Sequence, residues 1–279
     1  MKVVVTGANG KIGTRVMEIL AKSGYNVMGI DREVFNLKKY EHRVVDLLHE
    51  GQVYQTLSNS DAVIHLASYP RPNIVPDTLT FQNNVNSIHN ILNSCFNLNI
   101  HKVIIASSMA SYGFRYSNGR IIPKYFPVDE EHPCDPVDSY GLSKVVGEKI
   151  ADSFAHRSNM SIISLRIPQV IVDYGDFEHR SKNPSSGKDK LWLYIDIRDV
   201  AKAFLNALES AVLGHEIMNI SAADSDQLKP SVELIKEYFP NSEMHEDMLT
   251  GNESLSNIQK ARNLIGFVPE FSWRRISGL

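Results

Sequence analysis

A chain of 279 residues, 43% of them hydrophobic, can bury a substantial core and has neither a disordered nor a fibrous composition. Its formal charge of −3 supplies no basic field for nucleic acid or an anionic membrane, and its two cysteines, Cys95 and Cys134, form no CxxC motif. No apolar run approaches the roughly 18 residues of a membrane span, so the expected setting is the cytoplasm and the expected partners are small molecules, not nucleic acid or membrane.

In chain order, Val3–Val5 open a buried strand that runs into Thr6-Gly7-Ala8-Asn9-Gly10-Lys11-Ile12-Gly13, and a helix reads from Thr14 to Lys22. Glycine lets backbone approach a ligand closely, and the free N–H groups of a helix start suit a pyrophosphate. A second strand, Asn26 to Ile30, ends at Asp31, near the spacing from Gly13 at which an acidic side chain accepts hydrogen bonds from an adenosine ribose. That charge favours NAD. Arg32, beside it, could pair with a 2′-phosphate, which leaves NADP open.

Short strands at Arg43–Val45 and Ala62–Leu66 lead to Asp46-Leu47 and Ala67, which would line the adenine side of a parallel sheet at its carboxyl end. A long helix spans Asp77 to Asn97. Its Gln82-Asn83-Asn84 cluster either caps or hydrogen-bonds a loop, or places a buried Asn84 beside a cofactor. A fifth strand, Lys102–Ala106, enters Ser107-Ser108-Met109-Ala110-Ser111-Tyr112-Gly113, and about thirty irregular residues follow, interrupted by Pro123, Pro127, Pro133 and Pro136.

Asp138-Ser139 then cap a helix through Tyr140, Lys144, Glu148 and Phe154. Tyr140 and Lys144 share a face, so the ammonium is expected to lower the phenol's pKa; the phenolate can take a proton from a substrate hydroxyl while its carbon surrenders hydride to a nicotinamide. Ser108, at a strand's end, is placed to hold the substrate oxygen.

Asp176–Lys190, with Arg180, Lys182, Lys188 and Lys190 around Asn183–Gly187, reads as a solvated mobile loop, the alternative being a cationic lid over a phosphate or carboxylate. A strand at Trp192–Ile195, acidic residues Asp196 and Asp199 before a helix Val200–Leu208, a final strand Glu216–Ile220, and helices at Ser231–Tyr238 and Ser256–Leu264 complete the chain. The one tight His/Cys pair, His132-Pro-Cys134, lacks further ligands, so no metal site is expected. The expected fold is α/β, a Rossmann-like doubly wound parallel sheet. A dinucleotide-binding domain would cover 1–166 with 191–220 returning to it, and a small substrate-binding lobe would take 167–190 and 221–279.

These motifs, in this order, resemble the extended short-chain dehydrogenases/reductases of the NAD-dependent epimerase/dehydratase group. The resemblance rests on T-G-A-N-G-K-I-G at 6–13, D-L at 46–47, H-L-A at 65–67, N-N-V-N at 83–86, S-S-M-A-S-Y-G at 107–113, Y-G-L-S-K at 140–144 and L-R-I-P at 165–168. It implies Tyr140 as acid/base, Lys144 as its electrostatic partner and ribose ligand, and Ser108 as third catalytic member. The implied NAD contacts are Gly7, Asn9, Gly10, Lys11, Ile12, Gly13, Asp31, Arg32, Asp46, Leu47, Leu66, Ala67, Asn84, Tyr140, Lys144 and Ile167. It further implies a sugar or nucleotide-sugar substrate and a homodimer through the Asp77 and Tyr140 helices. Met109 and Ala110 stand where 4,6-dehydratases carry an Asp-Glu pair, and Gln169 where many relatives place a diphosphate-contacting Asn. The short C-terminal part suits a smaller substrate, as in the uronate dehydrogenase branch. A dinucleotide-binding sensor or scaffold without catalysis is the alternative from another class.

Overall fold

The structure, a computed structural model, describes residues 1–34, 39–245 and 249–278. A seven-stranded parallel sheet, apolar and β-branched at its centre and more polar at its edges, is built from β1 (Lys2–Thr6), β2 (Asn26–Asp31), β3 (Glu41–Val44), β4 (Ala62–His65), β5 (Lys102–Ser108), β7 (Ser161–Ile167) and β10 (Gly214–Asn219). The order is β3-β2-β1-β4-β5-β7-β10, so the chain reverses direction across the sheet between β1 and β4. Ligand crevices form at such a switch point, outside the carboxyl ends of the strands.

Both faces are covered, which is why the central strands β1, β4 and β7 are buried along almost their whole length rather than on alternate residues. Val3 and Val5 pack with Ile64, Ile104 and Ile163 under α1 (Lys11–Lys22) and α6 (Ile197–Glu209). Val4, Val63, Val103 and Ile105 point the other way, toward α2 (Glu50–Leu57), α3 (Asp77–Asn97) and α4 (Ser139–His156). A third cluster joins Tyr112, Phe114, Phe126 and Val128 to Leu191–Leu193, Leu234 and Phe239. The smaller core therefore draws on the irregular stretch inside 1–166. Two small ladders lie outside the main sheet: β6 (Tyr125–Phe126) with β11 (Glu243–Met244), and β8 (Gln169–Ile171) with β9 (Tyr194–Asp196). Helices α5 (Phe177–Ser181), α7 (Ser231–Tyr238), α8 (Gln259–Ile265) and α9 (Trp273–Ser277) complete the fold.

Several elements differ from the sequence expectation. Helix α2 has no counterpart there, because its residues are mostly polar; His49 caps it by accepting from the Gln52 N–H at 3.3 Å. The expected strand at Trp192–Ile195 starts two residues later, because Leu191 and Trp192 both take left-handed backbone at φ 54°. Residues 176–190 form short helical turns that stay largely exposed but are anchored at a few points: Phe177 is buried with its ring 5.7 Å from that of Trp273, and Trp192 Nε1 donates to the Pro184 carbonyl at 2.7 Å. The last expected helix is shifted to Gln259–Ile265.

Candidate functional site

The glycine turn joins β1 to α1 at the switch point. Gly7 has φ 64°, and a Cβ there would lie 2.8 Å from the Ala67 nitrogen; a Cβ on Gly13 would lie 2.2 Å from the Gly7 carbonyl oxygen. Only bare backbone fits at these two places, and that closeness brings the start of α1 to the strand end. Gly10 occupies the N-cap with no side-chain cap, and no acidic residue follows in the first turn. The leading N–H groups therefore remain available, with the helix dipole, for an anion.

The end of β2 supplies the acid. Asp31 accepts from the Asn9 N–H at 3.1 Å and from the Arg32 N–H at 2.8 Å, which ties the glycine turn to the strand end. Arg32 donates to the Tyr69 hydroxyl at 2.8 Å and lies 5.0 Å over its ring.

A residue pair that sequence reasoning missed holds the opposite wall. The Thr6 hydroxyl accepts from the Leu66 and Ala67 N–H groups, each at 3.1 Å, so its proton goes to His65 Nδ1 at 2.9 Å. Burial, reinforced by the charge of Lys144, pushes His65 down to about 3 and keeps it neutral. Asn84 is buried and anchors a loop. Its Oδ1 accepts from the Tyr69 N–H at 2.8 Å, and its Nδ2 donates to the Tyr69 carbonyl and to Ser143 Oγ, each at 3.1 Å. It stands behind the cleft wall rather than in it. Its neighbour Asn83 lines the cleft.

Ser108 ends β5, and its hydroxyl accepts from the Ala110 N–H at 3.1 Å, turning the chain into the short helical turn Met109–Tyr112. Asp138 caps α4 by accepting from the Gly141 N–H at 2.9 Å. A Cβ on Gly141 would lie 2.6 Å from the Ala110 carbonyl oxygen, so glycine here lets the start of α4 press against the turn after Ser108. Tyr140 is thereby brought beside Ser108, near enough for that hydroxyl to pull the phenol's pKa down. One turn on, the Lys144 ammonium lies 5.5 Å from the Tyr140 ring centroid and donates to the Ala106 carbonyl at 2.8 Å and to Ser68 Oγ at 3.3 Å.

The electrostatics depart from expectation. Burial pushes Tyr140 up to about 12, against the Ser108 hydroxyl and the nearby Arg115 charge, which pull it down. Burial also pushes Lys144 down to about 8, with Glu148 opposing. The protein's own groups therefore keep the phenol protonated, because desolvation of a phenolate outweighs the neighbouring cation. Behind Lys144, Arg166 clamps Glu148 through Nε at 3.0 Å and Nη2 at 2.8 Å, and Ser107 donates to the same carboxylate at 2.6 Å.

These groups border one cavity of about 690 Å³, within the usual size of a cofactor cleft. It brings together Gly7, Asn9, Gly10, Lys11, Ile12, Gly13, Asp31, Arg32, Asp46, Leu47, Leu66, Ala67, Ser108, Tyr140, Lys144 and Ile167. Of the residues expected around the cofactor and the reaction, only Asn84 is absent from the wall. Ser68, Tyr69, Arg115 and Gln169 also line it. Arg115 had no local signal, since it sits in the irregular stretch. No group of three metal-ligating side chains occurs among the described residues, and no helix there is long and apolar enough to cross a membrane.

An extended dinucleotide fits this layout: bare glycine backbone and an open helix start at one point, a carboxylate beside it, and a hydroxyl, phenol and ammonium at the far end. The comparisons agree. The chain is 29% identical over 174 residues to the N-acetyl-alpha-D-glucosaminyl-diphospho-ditrans,octacis-undecaprenol 4-epimerase of Escherichia coli O157:H7, an alignment covering 62% of this chain and 49% of that relative. The chain thus spans about half the length of that protein. It is 26% identical over 312 aligned positions to the UDP-glucose 4-epimerase of Corynebacterium glutamicum, covering 97% of this chain and 91% of that one. A short-chain dehydrogenase/reductase superfamily protein from Agrobacterium tumefaciens, solved with bound NAD, shares the fold at TM-score 0.75 and 19% identity, over 99% of this chain and 94% of that one. Residues 3–221, from the first strand through the last strand of the sheet, match the model of the NAD dependent epimerase/dehydratase family, and the chain belongs to that family.

Proposed function

We propose that the chain is an oxidoreductase or epimerase that exchanges hydride between NAD and the hydroxyl-bearing carbon of a sugar or nucleotide sugar. The observation that carries this reading is the convergence of Ser108, Tyr140 and Lys144 at one end of a cleft whose other end is the glycine turn and Asp31. The start of α1 would hold the pyrophosphate, Asp31 the adenosine ribose, and Lys144 the second ribose. NAD, when bound, supplies a hydride acceptor. Ser108 Oγ orients the substrate oxygen, and Tyr140 Oη takes its proton as the carbonyl forms and returns it in the reverse direction. Lys144, held by the Ala106 carbonyl, keeps a positive charge beside the phenol.

Arg32 leaves NADP open as a second cofactor, whereas Asp31 disfavours a 2′-phosphate. The same reading carries a homodimer through α3 and α4, which leave Leu79 and Leu142 exposed; light scattering checks it. Replacing Tyr140 with Phe is expected to abolish turnover while NAD still binds, and full turnover in that variant would refute the assignment. Net NADH formation marks a dehydrogenase, whereas substrate inversion without it marks an epimerase.

A further inference from the structure

Beyond Ser108, away from the glycine turn, a small void of about 30 Å³ opens between the turn after β5 and the 189–193 segment. It has room for about two waters. Most of its wall is apolar, yet Arg115 and Lys190 both face it. Arg115 also lines the main cavity with Tyr140, so the same guanidinium spans both spaces.

Both cations are half-buried, and neither has an ion-pair partner among the described residues. The contrast with Arg180 is informative. Arg180 lies in the same segment but is paired with Asp226, a carboxylate only 1% exposed. Asp189 borders the void without bonding either cation. Arg115 and Arg180 lie close enough to Lys190 for their charges, after burial, to help push the lysine's pKa down, with Asp189 and Asp226 opposing. Two cations held together in a half-buried place repel one another, and a sequence keeps them there at a cost unless an anion joins them. Leu191 and Trp192, both buried and both left-handed, fix the chain directly after Lys190.

We infer that Arg115 and Lys190 form an anion site at the reaction end of the cleft, and that the substrate is a free sugar bearing a carboxylate or a phosphate monoester. This rests on the oxidoreductase reading above and narrows its substrate. Arg115 presents a planar fork that suits either group in a bidentate pair, and Lys190 adds a point charge. An anion held there orients the sugar against Ser108 and Tyr140. A void of this size takes a small anionic group and has no room for a nucleoside of its own.

The test is calorimetric binding to the NAD-loaded protein of D-glucuronate, glucose 6-phosphate, glucose and UDP-glucose, with turnover of each measured in parallel. Either anionic free sugar is expected to bind at least about tenfold more tightly than glucose, and the stronger of the two identifies the anion. Arg115→Gln and Lys190→Gln are each expected to weaken that binding about tenfold or more, with NAD affinity unchanged in Lys190→Gln, which lies outside the cofactor cavity, whereas Lys188→Gln, which removes an exposed charge nearby, leaves anion binding intact. Melting curves of both variants verify the fold. Tightest binding of glucose or UDP-glucose, or unchanged affinity in both variants, overturns the inference. Turnover of a neutral sugar or UDP-glucose with no preference for an anion sinks this inference and leaves the oxidoreductase reading standing. Anion binding lost in the variants, without turnover of any substrate, does the reverse.

Discussion

Replacing Glu148 with Gln removes one negative charge from a buried network while keeping its shape. Glu148 and Arg166 are each only 4% exposed, and the carboxylate meets Arg166 twice and Ser107 once. Loss of the charge leaves the guanidinium buried without a counter-ion, which costs on the order of 3–5 kcal/mol; the retained amide oxygen places Gln at the lower end. At about 2.1 cal/mol/K per residue of unfolding entropy, a 3 kcal/mol loss in a chain of 279 residues lowers Tm by about 5 °C. Circular dichroism melts and urea unfolding measure it. The double replacement Glu148→Met with Arg166→Met removes both charges at once, so it is expected to be less destabilising than the single change, because no unpaired ion remains. A loss under about 1 kcal/mol in Glu148→Gln, or a double variant as unstable as the single losses added together, would refute the reasoning.

Gly13→Ala puts a methyl 2.2 Å from the Gly7 carbonyl oxygen, so the turn must move; NAD affinity measured by fluorescence titration is expected to fall about tenfold or more. Lys144 has its folded pKa lowered from 10.5 to about 8, so the unfolded chain binds the extra proton between these values. This group's penalty is thus fully present below pH 8 and relieved toward 10.5, and wild type should gain stability relative to Lys144→Met across that window in urea unfolding at fixed pH steps. Asp199 is fully buried and accepts from the Glu270 and Phe271 N–H groups, each at 3.0 Å, so Asp199→Ala is expected to cost about 1–3 kcal/mol and to raise proteolysis of the closing segment.

The glycine turn, Asp31 and most of the sheet's strands were legible because each depends on local chemistry. Apolar runs between breakers mark strands, and a turn that only glycine can make announces itself. The cap at Asp138 and the shared face of Tyr140 and Lys144 follow from helical spacing in the same way. What escaped depends on contacts between distant parts of the chain. Thr6 and His65 meet only because β1 and β4 are neighbours, with Thr6 paired to His65 in the register. Asn84 looked equally suited to a cofactor or to a loop; which it is depends on where Tyr69 passes. The anchoring of residues 176–190 escaped because their charges are conspicuous, while Phe177, which packs against Trp273, Tyr174 and Tyr194, is a single apolar residue without periodic support. The upward push on Tyr140 escaped for a related reason. Spacing reveals a neighbouring ammonium, but not the burial of the phenol.

That burial has a consequence for the proposed chemistry. Tyr140 is pushed up to about 12 and Lys144 down to about 8, so the protein alone disfavours the ionised form of both. A phenol at about 12 is a poor proton acceptor near neutrality, and a further positive charge is needed to bring it down. The nicotinamide ring carries such a charge when oxidised and loses it when reduced. On the proposed reading, the proton-accepting form of Tyr140 is therefore favoured when the oxidised cofactor shares the cleft, so the site is prepared as a base only in the state that can accept hydride. An ultraviolet difference titration against Tyr140→Phe isolates this phenol from the chain's other tyrosines. Its pKa is expected to fall when NAD is added and to stay high with NADH. Equal titration in the two states, or a phenol already ionised near neutrality without cofactor, would show that burial does not govern this residue.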